Sequence, residues 1–527
     1  MKKVLLTTAL VVFLLLTFSS NAFAELPGTG WWSAMFAQNI SNGDGTMTMS
    51  AYDSTSTSVY SSNTYTFDHG TALIYDPGKT PNYVSGGSFI GFQDNLPVGF
   101  EGSVVLSSDI PLVAVSEIAN YNNGPVGGGG TASAMYQAMS ADMARNKLWV
   151  TTIKHNYSHQ STTIYVQAAG SDAHVTITYD MNDGNFYTQT VDIPTNEMFV
   201  FDPANASDGG VPSVDCGVDP NLSPCFGAAT IESTTGPIVA TYVEHPHQGS
   251  PAALALSTRA QIVDDQSTIL YGPSVKNTYT TGSGTGITGD AIMNVGNAPA
   301  LVQITLKVTK LGTNAPSWVN VGDIFTDTEV IEPGKSVVFS KWDDNLGGMP
   351  EGTYAAAVYE SIDTDEYDPQ PLLGASNDAK TLSNLPGGKG KTVYKLFAAS
   401  TLTSRVAVPM VTEFQDELTG ALTVQNVGTI TDTIHFEFYE YNSSNVYEFW
   451  TVEPLPPDEA INSWGVSLNS GGYFANNGSW DFSELSGKQF SAIVYSEGGQ
   501  PINCLVFENS PAGFFDIRNY EAFSIAP

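Results

Sequence analysis

Leu422-Thr423-Val424-Gln425-Asn426 is an alternating run that ends in two amides, and Val427-Gly428-Thr429-Ile430 turns the chain directly after it. Alternation with a period of two marks a half-buried strand, and a glycine beyond the polar pair marks where it stops. The same figure occurs three more times, as Met35-Phe36-Ala37-Gln38-Asn39, Ile164-Tyr165-Val166-Gln167-Ala168 and Asp290-Ala291-Ile292-Met293-Asn294. Further alternating strands follow the turns, such as Val175-Thr176-Ile177-Thr178-Tyr179 and Ile434-His435-Phe436-Glu437-Phe438-Tyr439. Successive pairs lie 129, 126 and 132 residues apart. Pro111, Pro237, Pro371 and Pro501 follow the pairs at 72, 69, 77 and 75 residues, each opening a new apolar segment. Spacing this regular reads as an internal repeat.

A period of about 125 residues holding seven or eight short strands between turn signals predicts an all-β chain of four tandem β-sandwich (Ig-like) repeats. Helical periodicity is nearly absent; only Met135 to Lys147 could make a turn or two. The glycine-rich run Gly124-Pro125-Val126-Gly127-Gly128-Gly129-Gly130 and the Gly/Lys run Pro386-Gly387-Gly388-Lys389-Gly390-Lys391 read as boundaries. The expected division is a signal peptide over 1–24 and repeats over 25–130, 131–262, 263–390 and 391–527. Lys2 and Lys3, the apolar run Val4 to Phe18, and Ala22-Phe23-Ala24 supply the three parts of that signal peptide, with cleavage expected before Glu25. No second apolar run is long enough to span a bilayer, so no transmembrane segment is expected in the mature chain.

The pattern Val408-Pro409-Met410, then Gly420 to Gly428, Pro454 to Pro457, Phe490-Ser491-Ala492-Ile493-Val494 and Pro501-Ile502 resembles the "VQN-G" repeats of exported bacterial cell-surface proteins. That resemblance implies a surface-exposed β-sandwich array and brings no catalytic residues with it. The second stretch departs with Ala168 for Asn and the third with Met293 for Gln. A pair missing from half the copies suits a side-chain amide that closes a strand-end turn better than a ligand site.

Composition restricts the partners. With 19 Lys and Arg against 53 Asp and Glu, the formal charge is −34. Such a surface repels nucleic acid and can gather divalent cations. Asp363, Asp365, Glu366 and Asp368 form the densest acidic cluster, the candidate ligands for calcium, which takes six to eight oxygens in flexible geometry. The alternative is a solvated loop. No other cofactor is expected.

Cys216 and Cys225 lie nine positions apart in a Pro/Asp/Gly-rich loop, the expected disulfide of an exported chain. Cys504, inside Ile502-Asn503-Cys504-Leu505-Val506-Phe507, is expected as a buried thiol. His155 and His159 have i, i+4 spacing but flank a turn, and are read as exposed loop histidines. Glu244-His245-Pro246-His247 is an incomplete metal shell. Gly284-Thr285-Gly286-Ile287-Thr288-Gly289 meets the dinucleotide fingerprint in letters, yet leads into a strand where a phosphate site needs a helix. Trp31, Trp32 and Trp480 are candidates for a sugar platform, with core packing as the competing use.

These readings converge on a secreted or cell-surface protein that is not an enzyme and has a structural or adhesive role. Its expected partners are its own copies, other surface proteins or glycans. A carbohydrate-binding protein is the alternative, and a hydrolase with an unrecognised site the third. One mismatch stands out. Three repeats open with an additional strand, Leu148 to Ile153, Ile269 to Pro273 and Val406 to Val411, whereas the first has only Glu25 to Gly30 in that place. Head-to-tail assembly through the C-terminal segment Phe514 to Phe523 is one expectation from that mismatch.

Overall fold

The computed structural model describes residues 31–76, 89–94, 96–120, 132–157, 159–206, 210–216, 222–247, 256–282, 284–382, 389–413, 419–463, 466–469, 472–509 and 517–526. The expected signal peptide, the run 124–130 and residues 386–388 lie outside them. Within the described residues the chain is all-β, with short 3₁₀ turns and no α-helix. Its strands form several sheets that face one another like the layers of sandwiches. One 3₁₀ turn, Ala141–Met143, falls where the sequence allowed a helical turn.

The same pairing scheme is found in four successive stretches of chain. The strand carrying the polar pair (Trp32–Asn39, Gln160–Ala168, Gly284–Asn294, Thr419–Asn426) is called here the pair strand. It runs antiparallel to the strand after the proline (Leu112–Asn120, Ile238–Pro246, Leu372–Leu382, Ile502–Asn509), the proline strand. The proline strand in turn pairs with a closing strand (Ala132–Gln137, Leu256–Arg259, Lys389–Lys395, Ile517–Glu521).

The facing sheet is built on an outer strand (Gly45–Asp53, Ala173–Met181, Ala300–Leu311, Ile434–Glu440) paired with a bridging strand (Gly102–Ser108, Phe226–Ser233, Thr353–Ser361, Lys488–Ser496). In the last three stretches the bridging strand also pairs with an opening strand, Lys147–Tyr157, Ile269–Asn277 or Arg405–Glu413. Apolar side chains from both sheets meet between them. In the second stretch Leu148, Val150, Val175 and Ile177 of one sheet join Ile164, Val166, Ile238 and Ala240 of the other in one core.

Ala132–Gln137 pairs with Leu112–Asn120 of the first stretch, and Lys389–Lys395 with Leu372–Leu382 of the third. Glycine runs mark loops, and here the loops join the proline strand to its closing strand.

The amide reading of the polar pair is visible in three places. Asn39 Nδ2 donates to Gly43 O and Phe67 O, at 2.8 and 3.1 Å. Asn294 does the same to Ala298 O and Ile331 O, and Asn426 to Ile430 O and Leu455 O. In each, Oδ1 accepts a backbone N–H two residues on. One side chain thus closes the turn and ties it to a carbonyl further along the chain, the Asx geometry that favours asparagine at such positions.

Candidate functional site: the axial junction and the histidine cluster

The four closing strands meet each other. Ala132–Gln137 lies against Leu256–Arg259 and Ile517–Glu521, and Lys389–Lys395 touches the same two strands. The contacts therefore close a ring of four around one axis, and the first stretch meets the fourth.

Strand register brings four unlike residues to the same level of that axis. Gln137, Arg259, Lys395 and Glu521 pair with Val115, Thr241, Ala375 and Leu505, which are equivalent positions of the proline strands. All four are buried. Arg259 Nε donates to Gln137 Oε1 at 3.1 Å, and its two terminal nitrogens grip Asp265 at 2.6 and 2.7 Å. Lys395 Nζ lies 3.4 Å from the same carboxylate. Glu521 accepts from Thr258 Oγ1 at 3.1 Å and from the Lys395 amide, while its own carbonyl accepts from Gln137 Nε2 at 2.8 Å. Both cations thus meet the Asp265 carboxylate, while Glu521 is held by a hydroxyl and a backbone amide. Burial alone would raise Asp265, but Arg259 and Lys395 more than offset it and hold the carboxyl well below its usual range.

A second tie joins the ends of the ring. Arg518, on the fourth closing strand, is 2.5 Å from Glu117 of the first stretch and 3.7 Å from Glu508 of its own. Gln38 Nε2 donates to Ala492 O, and Ser491 Oγ to Gly70 O. Apolar surface closes the same seam: Ala34, Phe36, Ile74, Val115 and Met135 share one core with Val406, Val408 and Met410.

A histidine cluster sits beside the second stretch's disulfide. Cys216 and Cys225 are bonded to each other, and Cys225 O accepts from the His155 amide at 2.8 Å. His155 lies in a strand and is buried, contrary to the exposed-loop reading; the hairpin turn comes after it. His159 is exposed. The His155 and His247 rings meet edge to face at 5.9 Å. His247 Nδ1 is hydrogen-bonded to Ser161 Oγ at 2.7 Å, and His245 Nε2 to Thr163 Oγ1 at 2.8 Å. Burial lowers His155 and His247 below the ordinary imidazole range, opposed in part by Asp202, so both are neutral at pH 7. Ser161 is buried and also accepts the Asn156 amide, so this hydroxyl ties down the hairpin.

The remaining sequence candidates are dispersed. Asp363, Asp365, Glu366 and Asp368 are all exposed, on a turn organised by Thr364, whose hydroxyl accepts the amides of Glu366 and Tyr367. Among the described residues no group of three or more His, Cys, Asp or Glu side chains is placed to hold a metal ion. Gly284 to Gly289 lies inside a strand, as its sequence context indicated. Gly286 has a packing use: a Cβ there would come within 2.7 Å of Lys276 Cδ, and Lys276 crosses it to pair with Asp378. Cys504 is buried and reduced, and burial pushes its thiol up.

Trp31, Trp32 and Trp480 are packed and form no platform. Trp31 lies against Ile118, Ala134 and Val243, Trp32 against the shared first–fourth core, and the Trp480 ring is 5.2 Å from Tyr447. Among the described residues the exposed indoles are Trp318 and Trp342, at 62% and 67%. No local signal distinguishes them; Trp318 follows a proline turn, and that alone could have hinted at a loop. Ile517–Glu521 pairs with its own proline strand and Phe523–Ser524 with its own opening strand, while residues 514–516 of the segment expected to assemble head to tail lie outside the described residues. Among the described residues no helix is long and apolar enough to cross a membrane.

No protein-family model matches the chain, and no curated protein matches it. A solved structure described as a tetra-tandem repeat in the extending region of a large adhesion protein aligns over 93% of this chain and 94% of that one. The identity is 10% and the TM-score 0.10, far below that of a shared fold.

Proposed function

We propose that this is an exported, non-enzymatic structural or adhesive protein in which four tandem sandwich repeats close into a rigid ring. The observation that carries the reading is the axial junction. Buried charge is costly unless fully paired, and its documented use is to fix one arrangement against alternatives. Here Gln137, Arg259, Lys395 and Glu521 differ at equivalent positions, so each repeat fits only one place around the axis. The ring holds the loops at its rim in fixed relative positions, as a multivalent surface requires. The disulfide beside His155 suits an oxidising compartment. Fractionation of the producing cells tests the reading: the protein should be found in the surface or culture-fluid fraction, lacking Met1–Ala24. Recovery from the cytoplasm with those residues attached would refute it.

The exposed indoles Trp318 and Trp342 favour carbohydrate binding as a second reading, because ring faces stack on the apolar faces of sugars. A glycan array compared between the native protein and the Trp318→Ala/Trp342→Ala variant separates the two. Binding lost in the variant would favour the second reading.

A further inference from the structure

The three opening strands carry Lys154, Lys276 and Thr412 at one equivalent position, opposite Phe226, Tyr354 and Gln489 of the bridging strands. Each reaches across its sandwich to the same place on its own proline strand: Lys154 to Glu244, Lys276 to Asp378 and Thr412 to Glu508. At two boundaries the residue just before that acid meets the lysine of the preceding stretch. Lys276 Nζ lies over the Phe507 ring of the fourth stretch, 5.2 Å from its centre, and Lys154 Nζ lies 3.4 Å from Asn377 Oδ1 of the third. Register makes Phe507 and Asn377 the same proline-strand position, one residue before Glu508 and Asp378.

The chemistry of the two boundaries differs. Lys276 meets a ring, with which an amine forms no bond. Lys154 meets a carboxamide, whose carbonyl carbon an amine can attack when the two are held in contact. Only a neutral amine is a nucleophile, so the attack needs a base touching Nζ, and Glu244 is paired with it. The Lys154 side chain is 14% exposed and that of Glu244 0%, so little water competes at this point. Thr152 Oγ1 donates to Glu244 Oε1 at 3.3 Å, which leaves Oε2 to the lysine.

We propose that Lys154 Nζ becomes joined to Asn377 Cγ in a side-chain amide that fastens the second stretch covalently to the third. The Nζ–Cγ bond forms, the Cγ–Nδ2 bond breaks, and ammonia leaves. Nζ starts as an ammonium and keeps one proton. The two protons it gives up pass through Glu244 to Nδ2, which departs as ammonium, and Glu244 ends as the carboxylate it was. No oxidant or further reactant is consumed. A tie of this kind keeps the ring from opening at that boundary even when its non-covalent contacts are lost.

Gln160 Oε1 is equally near, 3.4 Å from Lys154 Nζ, but this carboxamide is poorly placed to react. Its oxygen accepts from Lys391 Nζ at 2.9 Å, and its Nε2 is buried with no hydrogen-bond partner. Glu244 therefore does not reach the group that would have to leave, and the ammonia would have no exit. Asn377 is half-buried at the boundary, where ammonia can escape to solvent.

The full chain, reduced and denatured, is weighed intact by high-resolution mass spectrometry, then digested and sequenced by tandem fragmentation. The expected mass is one ammonia, about 17 Da, below that of the unmodified chain with the same N-terminus, and digestion should yield a branched peptide joining Lys154 to Asn377. Lys154→Arg and Asn377→Ala should have the full mass, and Glu244→Gln should contain at least tenfold less of the branched product. The branched peptide is read from the unaltered protein, so misfolding of a variant cannot imitate it. An unmodified Lys154 and Asn377 in the native chain, or a branch from Lys154 to Gln160, would overturn the proposal. So would loss of ammonia that persists in Lys154→Arg, which marks a succinimide at Asn377, or an undiminished branch in Glu244→Gln.

Discussion

Replacing Asp290 with asparagine should stabilise the protein at neutral and alkaline pH and change little below about pH 4. Asp290 lies on the third pair strand, at the position held by Met35, Ile164 and Leu422 in the others. It is 1% exposed, and burial pushes its carboxyl up to about 7, against 3.8 in the unfolded chain. Hydrogen bonds from Ser376 and Tyr359 offset only part of that burial, and the neighbouring Asp378 adds to the rise. The native state therefore binds this proton more tightly than the unfolded state. Its contribution is fully present below pH 3.8 and is lost as pH rises toward 7. A tenfold difference in proton affinity between the two states is worth about 1.4 kcal/mol, and the difference here is roughly a thousandfold, so the loss amounts to roughly 4 kcal/mol. Urea unfolding of the native protein and Asp290→Asn, followed by tryptophan emission from pH 4 to 8.5, reads the difference directly. The gap between the two should open by about 1.4 kcal/mol per pH unit and level off above pH 7. A gap that stays constant with pH would refute the assignment of a buried, protonated Asp290.

Arg259→Ala strands Asp265 without its bidentate partner and should cost about 3–5 kcal/mol, read as a lower urea midpoint and faster proteolysis. Non-reducing peptide mapping should find Cys216 joined to Cys225, and Cys504 should resist alkylation until the protein unfolds. Cys216→Ser/Cys225→Ser should cost about 2.5 kcal/mol through the restored freedom of the loop, provided the native geometry is unstrained. Gly286→Ala places a methyl in the path of Lys276 and should cost about 1–3 kcal/mol as overpacking, whereas Gly170→Ala, with open space around it, should show only the strain of its positive φ. Equal stability of Gly286→Ala and the native protein would show that Lys276 reaches Asp378 by another path.

What was legible in the sequence was local and periodic. The Gln-Asn strand ends, the proline strands and the disulfide loop each left a mark within ten residues, because turn chemistry and alternation act at that range. Ring closure left none. Gln137, Arg259, Lys395 and Glu521 look like unrelated polar residues until strand register superposes them, and Arg518 meets Glu117 across most of the chain. His155 was misread because a turn follows it closely, while the His247 ring packed against it and Cys225, which accepts its amide, are distant in sequence. Whether Trp31, Trp32 and Trp480 pack or form a platform was open in the sequence for a related reason, and the structure packs them. Composition says how much aromatic surface exists, and only tertiary packing decides which rings it covers.

Closure also bears on how such a chain can change in length. An open array can gain or lose a repeat at little cost, since each member touches only its neighbours and any end resembles any other. In a closed circle every repeat has two flanks engaged, and the four central residues are mutually matched. A duplicated copy would arrive with a central residue already in use elsewhere, and a deletion would leave a cation or a carboxylate unmatched. In the proposed ring, gain or loss of a repeat would therefore break contacts at the axis that an open array does not have.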